Sequence, residues 1–180
     1  MSRSDQSGQA YALTVMTPIK AGEEDALRSF LEGLPQSASP LARLPGTHFG
    51  RWLIVPRFEG AAQGEQPPPD ELASQYLVFT SNFDGPLDPY LDALCERLAP
   101  EAPEIWGRCV GWAGGGGALK DYLLRHSVKT GFFVAAYGKS TLEEVRRALD
   151  TRERVIDFAV AAQSMAPGDL QRAFRDEFGG

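Results

Sequence analysis

A histidine, an arginine and a tryptophan lie close together in the segment THFGRWLIV, residues 47–55. His48 is one of only two histidines, and imidazole titrates near neutral pH, so it is a candidate general base or haem ligand. Arg51 is a candidate carboxylate clamp, since a guanidinium binds carboxylates through two hydrogen bonds. Trp52 is suited to the wall of a pocket. The structural alternatives are a hydrogen-bonded histidine, an ion-paired arginine and a packing tryptophan.

Other candidates come from two later segments and one helix end. Asn82 and Asp84 belong to SNFDG, residues 81–85, where Asx residues at a strand end favour a turn. His126 ends a helical pattern, where the helix dipole favours a cation and a structural role. His48 and Arg51 are the predicted catalytic residues. The predicted ligand-binding residues are Trp52, Thr80, Asn82, His126, Phe133 and Tyr137.

Two further features do not indicate a specific chemistry. The run GWAGGGGALK, residues 111–120, lacks the lysine-serine/threonine ending of a phosphate-binding loop, which favours a mobile lid or a linker. Cys95 and Cys109 lack metal-finger spacing and are predicted to be free thiols in the core. A reactive thiol would need a neighbouring cation such as Arg108. Two isolated histidines make a poor zinc site, so no metal is predicted.

Charge and hydropathy exclude some partner classes. The 180 residues include 18 lysines and arginines against 24 aspartates and glutamates, a net charge of −6. A general nucleic-acid binder needs a basic surface, so no nucleic-acid partner is predicted. No apolar run has the length of a membrane span, so no membrane partner is predicted. The first ten residues lack the apolar stretch of a secretory signal, which predicts a cytoplasmic protein.

The pattern of elements predicts an α+β fold. Strands are predicted at 11–19, 47–58, 76–85 and 130–138, with a long polar excursion at 59–75. Helices are predicted at 21–34, 86–100, 119–128 and 140–163, with a short helix or turn at 101–112 and a glycine hinge at 113–118. The order β-α-β-β-α-β is that of a ferredoxin-like antiparallel sheet with extra helices. The predicted organisation is a disordered leader (1–9), this domain (10–163) and a helical tail (164–180).

Strand alternation predicts two different faces of the sheet. The predicted core face carries Leu13, Val15, Phe49, Leu53, Leu77, Phe79, Phe132 and Val134. The predicted open face is mixed and carries Thr14, Met16, His48, Trp52, Ile54, Val78, Thr80, Asn82, Phe133 and Tyr137. An apolar surface with a few polar groups is typical of an interface or a ligand pocket. A register shift of one residue in any strand would exchange its two sets.

The order of elements over residues 10–163 resembles the dimeric α/β-barrel group of ferredoxin-like proteins. The strings THFGRW and SNFDG are also similar to those of an uncharacterised bacterial family. The resemblance implies a homodimer whose two sheets face each other and enclose a pocket in each subunit. It further implies a small monooxygenase-like activity or haem binding, the haem being held by His48 or His126. The cofactor is otherwise unknown.

Two functional hypotheses follow from the mixed face. The first is a small-molecule-binding protein, with or without oxidoreductase or monooxygenase-like activity, whose pocket lies on the open face. The second is a non-catalytic interaction or assembly module that uses the same face to contact a protein. The residues do not decide whether there is catalysis, and they do not identify the ligand.

Overall fold

The computed structural model describes residues 5–56 and 74–179 and shows an α+β protein. The strands are β1 (Gln6–Ser7), β2 (Ala10–Pro18), β3 (Thr47–Val55) and β4 (Tyr76–Asp84). They form a four-stranded antiparallel sheet in the order β1-β2-β4-β3. The helices are α1 (Glu24–Glu32), α2 (Leu87–Arg97), α3 (Ala102–Ile105), α4 (Gly116–Arg125), α5 (Leu142–Ala162) and α6 (Pro167–Phe178). The predicted polar excursion at 59–75, except for its last two residues, lies outside the described residues.

The chain divides into two compact units, residues 1–141 and 142–180. In the second unit, α5 and α6 pack through the rings of Phe158, Phe174 and Phe178. The long helix α5 therefore groups with the tail, whereas the sequence predicted that it belongs to the domain of the sheet. The apolar residues Leu149 and Ile156 of α5 are exposed.

The core of the first unit lies between one face of the sheet and the helices. Alternate residues of β2 and β4 point into it, and Leu13, Val15, Leu77 and Phe79 are buried as predicted. The covering helices contribute Leu91, Leu94, Leu119, Tyr122 and Leu123. The strands β3 and β4, which lie on either side of the undescribed segment, pair antiparallel as expected. Within the described residues, no helix has the length and hydropathy needed to cross a membrane.

The predicted fourth strand at 130–138 is wrong, because these residues form an irregular segment that ends in a turn. Two other segments bond to the outer edge of β2. β1 pairs with residues 10–11, and residues 126–128 bond to the edge through the Met16 and Val128 amides. The strand at Gln6–Ser7 also corrects the prediction of a disordered leader over residues 1–9, of which residues 1–4 lie outside the description.

A β-bulge in β3 corrects the predicted assignment of faces. Thr47 lies opposite Phe83 but Phe49 lies opposite Asn82, so His48 is an extra residue in β3. Beyond the bulge, Trp52 pairs with Phe79 and faces the core together with Ile54. Phe49 and Leu53, predicted to be core residues, belong to the open face instead, and Phe49 is 76% exposed.

The two neighbouring leucines of α4 provide a matched test of this core. Leu123 is 0% exposed and Leu124 is 41% exposed. We expect Leu123→Ala to lower the free energy of unfolding by about 2–5 kcal/mol, because it leaves a cavity in the core. Leu124→Ala, which makes the same change on the same helix, should cost less than about 1 kcal/mol. Urea denaturation measures both values, and equal losses would contradict the described packing.

Candidate functional site

A partly enclosed cavity of about 380 Å³ lies on the open face of the sheet, at the end where β2 begins and β4 ends. Its base is formed by Ala10, His48, Phe49 and Asn82. Its other wall is the irregular segment that was predicted to be a strand. We call residues 129–140 the strap; the strap residues that line the cavity are Phe133, Val134, Ala135, Ala136 and Tyr137. All of these residues belong to the first unit.

His48 lines the cavity, and its hydrogen-bond partner Asp84 lies outside the lining. The His48 Nε2 atom lies 2.7 Å from the Asp84 Oδ1 atom, and both side chains are mostly buried. A carboxylate accepts hydrogen bonds, so Nε2–H is the donor, and Nδ1 is the nitrogen of the neutral ring that can accept a proton. An aspartate in this position orients the imidazole and stabilises the imidazolium that forms when the ring takes a proton.

The remaining lining is apolar apart from one amide and one phenol. Phe49 and Phe133 supply aromatic surface, and three alanines, one in the base and two in the strap, contribute small side chains. In the part of the chain that the structure describes, the Asn82 side-chain amide has no hydrogen-bond partner. Among residues 5–56 and 74–179, no lysine or arginine lines the cavity. From these residues an anionic ligand would meet no cationic side chain of that kind, whereas an uncharged ligand could bond to Asn82 and His48.

Four of the predicted site residues do not line the cavity. Trp52 packs in the core against Phe79 and Trp106, with ring centroids 5.4 Å and 6.4 Å away. Arg51 and Thr80 share the open face and bond to each other, with 3.2 Å between Arg51 Nε and Thr80 Oγ1. In this contact the Arg51 guanidinium donates to a hydroxyl, whereas the predicted role was to bind a carboxylate.

His126 lies far along the sheet from His48. Its backbone oxygen accepts a hydrogen bond from the Met16 amide, whereas Asp84, the partner of His48, pairs with Ala10 at the opposite end of β2. The His126 Nδ1 atom lies 2.9 Å from the backbone oxygen of Tyr122, and the two rings pack with centroids 4.3 Å apart. The structural reading of His126 as a helix-ending residue fits these contacts.

In this cavity, neither histidine offers a free Nε2 atom to a haem iron. Asp84 engages the Nε2 atom of His48, so iron binding at that nitrogen would have to break the pair. His126 is not part of the lining. Among the described residues, no group of three or more histidine, cysteine, aspartate or glutamate side chains is placed to hold a metal ion.

Sequence reasoning missed the partner of His48 and most of the strap's role. Asp84 was read as a turn residue, and it does precede a turn at Gly85, whose φ is 82°. Its carboxylate nevertheless reaches back to His48 across the strand pair. No local pattern indicates this pairing, because the two residues are 36 positions apart and meet only through the bulge.

The cysteines form no part of the site. Cys109 is buried, and Cys95 is half-buried; both are free thiols. Burial raises the pKa of both thiols above the ordinary value. Arg108, the cation nearest to Cys109 in sequence, is ion-paired with Glu23 and Glu104 instead.

We therefore expect neither cysteine to react like a free thiolate. A raised pKa leaves less thiolate at pH 7, and the thiolate is the reactive form. Labelling of the folded protein with Ellman's reagent should modify Cys95 more slowly than free cysteine, and Cys109 only after unfolding. The rate for Cys95 should still be rising with pH at the point where that of free cysteine has levelled off. Fast labelling of Cys109 at neutral pH would contradict its burial.

Comparisons with known proteins assign the chain to no family. No family model matches it, and no curated protein or solved structure matches it either. Function on a given fold is determined by the site, so the side chains of the cavity indicate the function here.

Proposed function

We propose that this protein binds a small, uncharged and mainly apolar organic molecule in the cavity between the open sheet face and the strap. The observation that carries the proposal is that His48, paired with Asp84 at 2.7 Å, lines a cavity whose other lining groups are mainly apolar. A few polar groups in an apolar concavity are typical of small-molecule sites. An apolar cavity of roughly 150 Å³ holds benzene, so the volume here suits a molecule of two or three rings.

The scaffold supports a ferredoxin-like arrangement in part. The three long strands lie in the order β2-β4-β3, and residues 126–128 follow α4 to the outer edge of β2. In the ferredoxin-like fold, that edge holds the last strand. We propose that these bonds are a shortened form of that strand, and that the resemblance to the dimeric α/β-barrel group reflects this scaffold.

The pair gives the cavity one chemical capability, which is proton transfer. A ligand hydroxyl that donates to His48 Nδ1 could lose its proton to the ring, and Asp84 would stabilise the charge that forms. Asn82 is placed in the same lining to bond to the ligand oxygen. A catalytic version of the proposal is therefore a monooxygenase-like oxidoreductase that uses no haem, with His48 as the general base. Molecular oxygen would be the oxidant and the deprotonated ligand the reductant, one oxygen atom entering the ligand and the other leaving as water. Arg51 has no role in it, because it does not line the cavity.

Filling the cavity tests the binding proposal. Ala135→Leu adds apolar atoms at a lining position and leaves His48 and Asp84 unchanged. We expect it to weaken binding of the neutral, polarity-sensitive dye prodan by roughly tenfold or more, about 1.4 kcal/mol. Fluorescence titration measures the change.

Ala161→Leu is the matched control, since Ala161 is exposed on α5 and belongs to the second unit. It should leave dye binding unchanged. If wild-type protein does not bind the dye, or if both variants bind it equally well, the cavity is not a binding site. Native mass spectrometry of the purified protein would in addition show any retained ligand.

The second candidate function is assembly with a second copy of the chain through the strap. Phe49, Phe132, Val134 and Tyr137 are all at least two-thirds exposed, at 76%, 85%, 69% and 76%. Three of them belong to the strap, and Phe49 lines the same cavity. Exposed apolar clusters of this kind are typical of interaction surfaces. Of these four residues, only Phe132 does not line the cavity, so Phe132 is the residue that belongs to this candidate alone.

Phe132→Ser separates the two candidates. Phe132 is 85% exposed, so the change should leave the free energy of unfolding almost unaffected. If the strap joins two copies, the variant should dimerise at least roughly tenfold more weakly, since central aromatic residues dominate such interfaces. Val160→Ser, at an exposed site on α5, is the control. Sedimentation velocity over a concentration series measures both, and a wild-type monomer at every concentration would exclude assembly.

A further inference from the structure

We propose that residues 5–9 are a latch that holds the strap closed, and that release of this latch admits the ligand to the cavity. The proposal rests on the proposed small-molecule function and concerns its regulation. The latch would thus determine the rate of ligand exchange, although residues 5–9 do not line the cavity.

The hydrogen bonds of the strap single out the latch. Across residues 5–56 and 74–179, every hydrogen bond that joins the strap to another segment ends on residues 5–9. The strap amide of Thr130 donates to the Asp5 carboxylate, and that of Ala135 donates to the Ser7 hydroxyl, both at 3.0 Å. In the other direction, Gln9 donates from its amide to Gly138 O at 2.6 Å and from Nε2 to Lys139 O at 2.9 Å.

The backbones of the latch and strap also meet at two glycines. A Cβ atom at Gly138 would lie 2.7 Å from the Ser7 carbonyl oxygen. A Cβ atom at Gly8 would lie still closer to the Gly138 oxygen, and Gly8 has a φ of 65°. Only glycine at both positions allows this approach without displacement of one backbone. The contact is therefore specific to this sequence.

Apart from the latch, the hydrogen bonds described for the strap and its flanking residues lie at its two ends. Residues 126–128, which precede it, are bonded to the edge of β2, and the turn at its end is closed by bonds from Gly138 to Ala135 and from Ser140 to Tyr137. Between these points, the strap depends on the latch and on its inward-facing side chains. It can therefore move outward as a loop while the sheet below stays intact.

Release of the latch requires little free energy. β1 has only two residues and pairs with β2 at two positions. Residues 5–9 are half-buried or exposed, and none of them belongs to the hydrophobic core. Local openings of this kind, with few buried apolar contacts, have the lowest free energies in a protein. Ala10, which follows the latch, is buried under the strap and marks where the movement ends.

Removal of the two side-chain acceptors tests the latch. Asp5→Ala/Ser7→Ala deletes the bonds to Thr130 and Ala135 without a change in the cavity lining. One net hydrogen bond changes an equilibrium roughly fivefold, so the strap should open about 25-fold more often. Stopped-flow mixing with prodan should show association and dissociation rates that both rise by about this factor. The Kd should change little, because the closed state still dominates.

Two controls and a second variant complete the test. Gln6→Ala removes a side chain whose hydrogen bond stays within the latch, to Gly8 O, and should leave both rates unchanged. Gly138→Ala disrupts the glycine contact and should act like the double variant. Gly131→Ala, on the same strap with nothing within 4 Å of the added atom, is its control. Hydrogen exchange at the Gln9 amide, which donates to Gly138 O and keeps this acceptor in the double variant, reports strap opening without any ligand.

The outcomes distinguish the latch from the binding proposal. Faster exchange at the Gln9 amide together with faster dye kinetics supports the latch. Faster exchange with unchanged dye kinetics overturns it, because the strap then opens without controlling entry, although the dye still binds. Unchanged exchange in the double variant also overturns it. If wild-type protein does not bind the dye at all, the proposed function fails and the latch proposal fails with it.

Discussion

The extra residue in β3 is the constraint on which both the core and the site depend. Thr47, before the bulge, points to the core side, where its hydroxyl lies 3.3 Å from the hydroxyl of Tyr90. That phenol is also 2.5 Å from Ser81 Oγ, and burial raises its pKa. His48 then turns to the opposite face and meets Asp84. The two contacts on opposite faces hold the bulge in place, since a strand without it would exchange the two sets of side chains.

The bulge places one aromatic residue in the core and another over the cavity. After it, Trp52 packs against Phe79 and Trp106, and Phe49 joins the open face. Gly50, between them, lies on the core side, and a Cβ atom there would come within 2.8 Å of Leu41. Glycine thus lets the turn at Pro40–Arg43 pack closely against β3. The same few residues therefore determine both the packing under the sheet and the chemistry above it.

The parts of the fold that sequence predicted well are those whose periodicity is uninterrupted. β2 and β4 alternate without a break, and their core residues were correctly predicted because the period of two is maintained. β3 begins with similar residues, but no local signal marks the bulge, so His48 was placed correctly and Trp52 was not. The pairing of His48 with Asp84 depends on the register of two strands and could not be derived from either strand alone.

The strap shows a second limit of local patterns. TGFFVAAYG has the aromatic and β-branched residues of a strand, and its alternation is real: Phe133 is half-buried over the cavity while Phe132 is exposed. A strand also needs a free edge, however, and β1 and residues 126–128 bond along the edge of β2. Whether the segment pairs is thus decided by competition between distant parts of the chain, which propensity does not measure.

The alternation of the strap has a consequence for the two candidate functions. Inward residues such as Phe133 and Ala135 contact the cavity, whereas Phe132 points away from it and Val134 is exposed. A ligand would use the inward residues and a second copy would use Phe132, whereas Val134 and Tyr137 both line the cavity and are exposed, so the two could share them. A second copy seated on the outer side would also oppose outward movement of the strap. By linkage, whatever stabilises the closed strap would slow ligand exchange, so assembly and binding would be coupled through the latch.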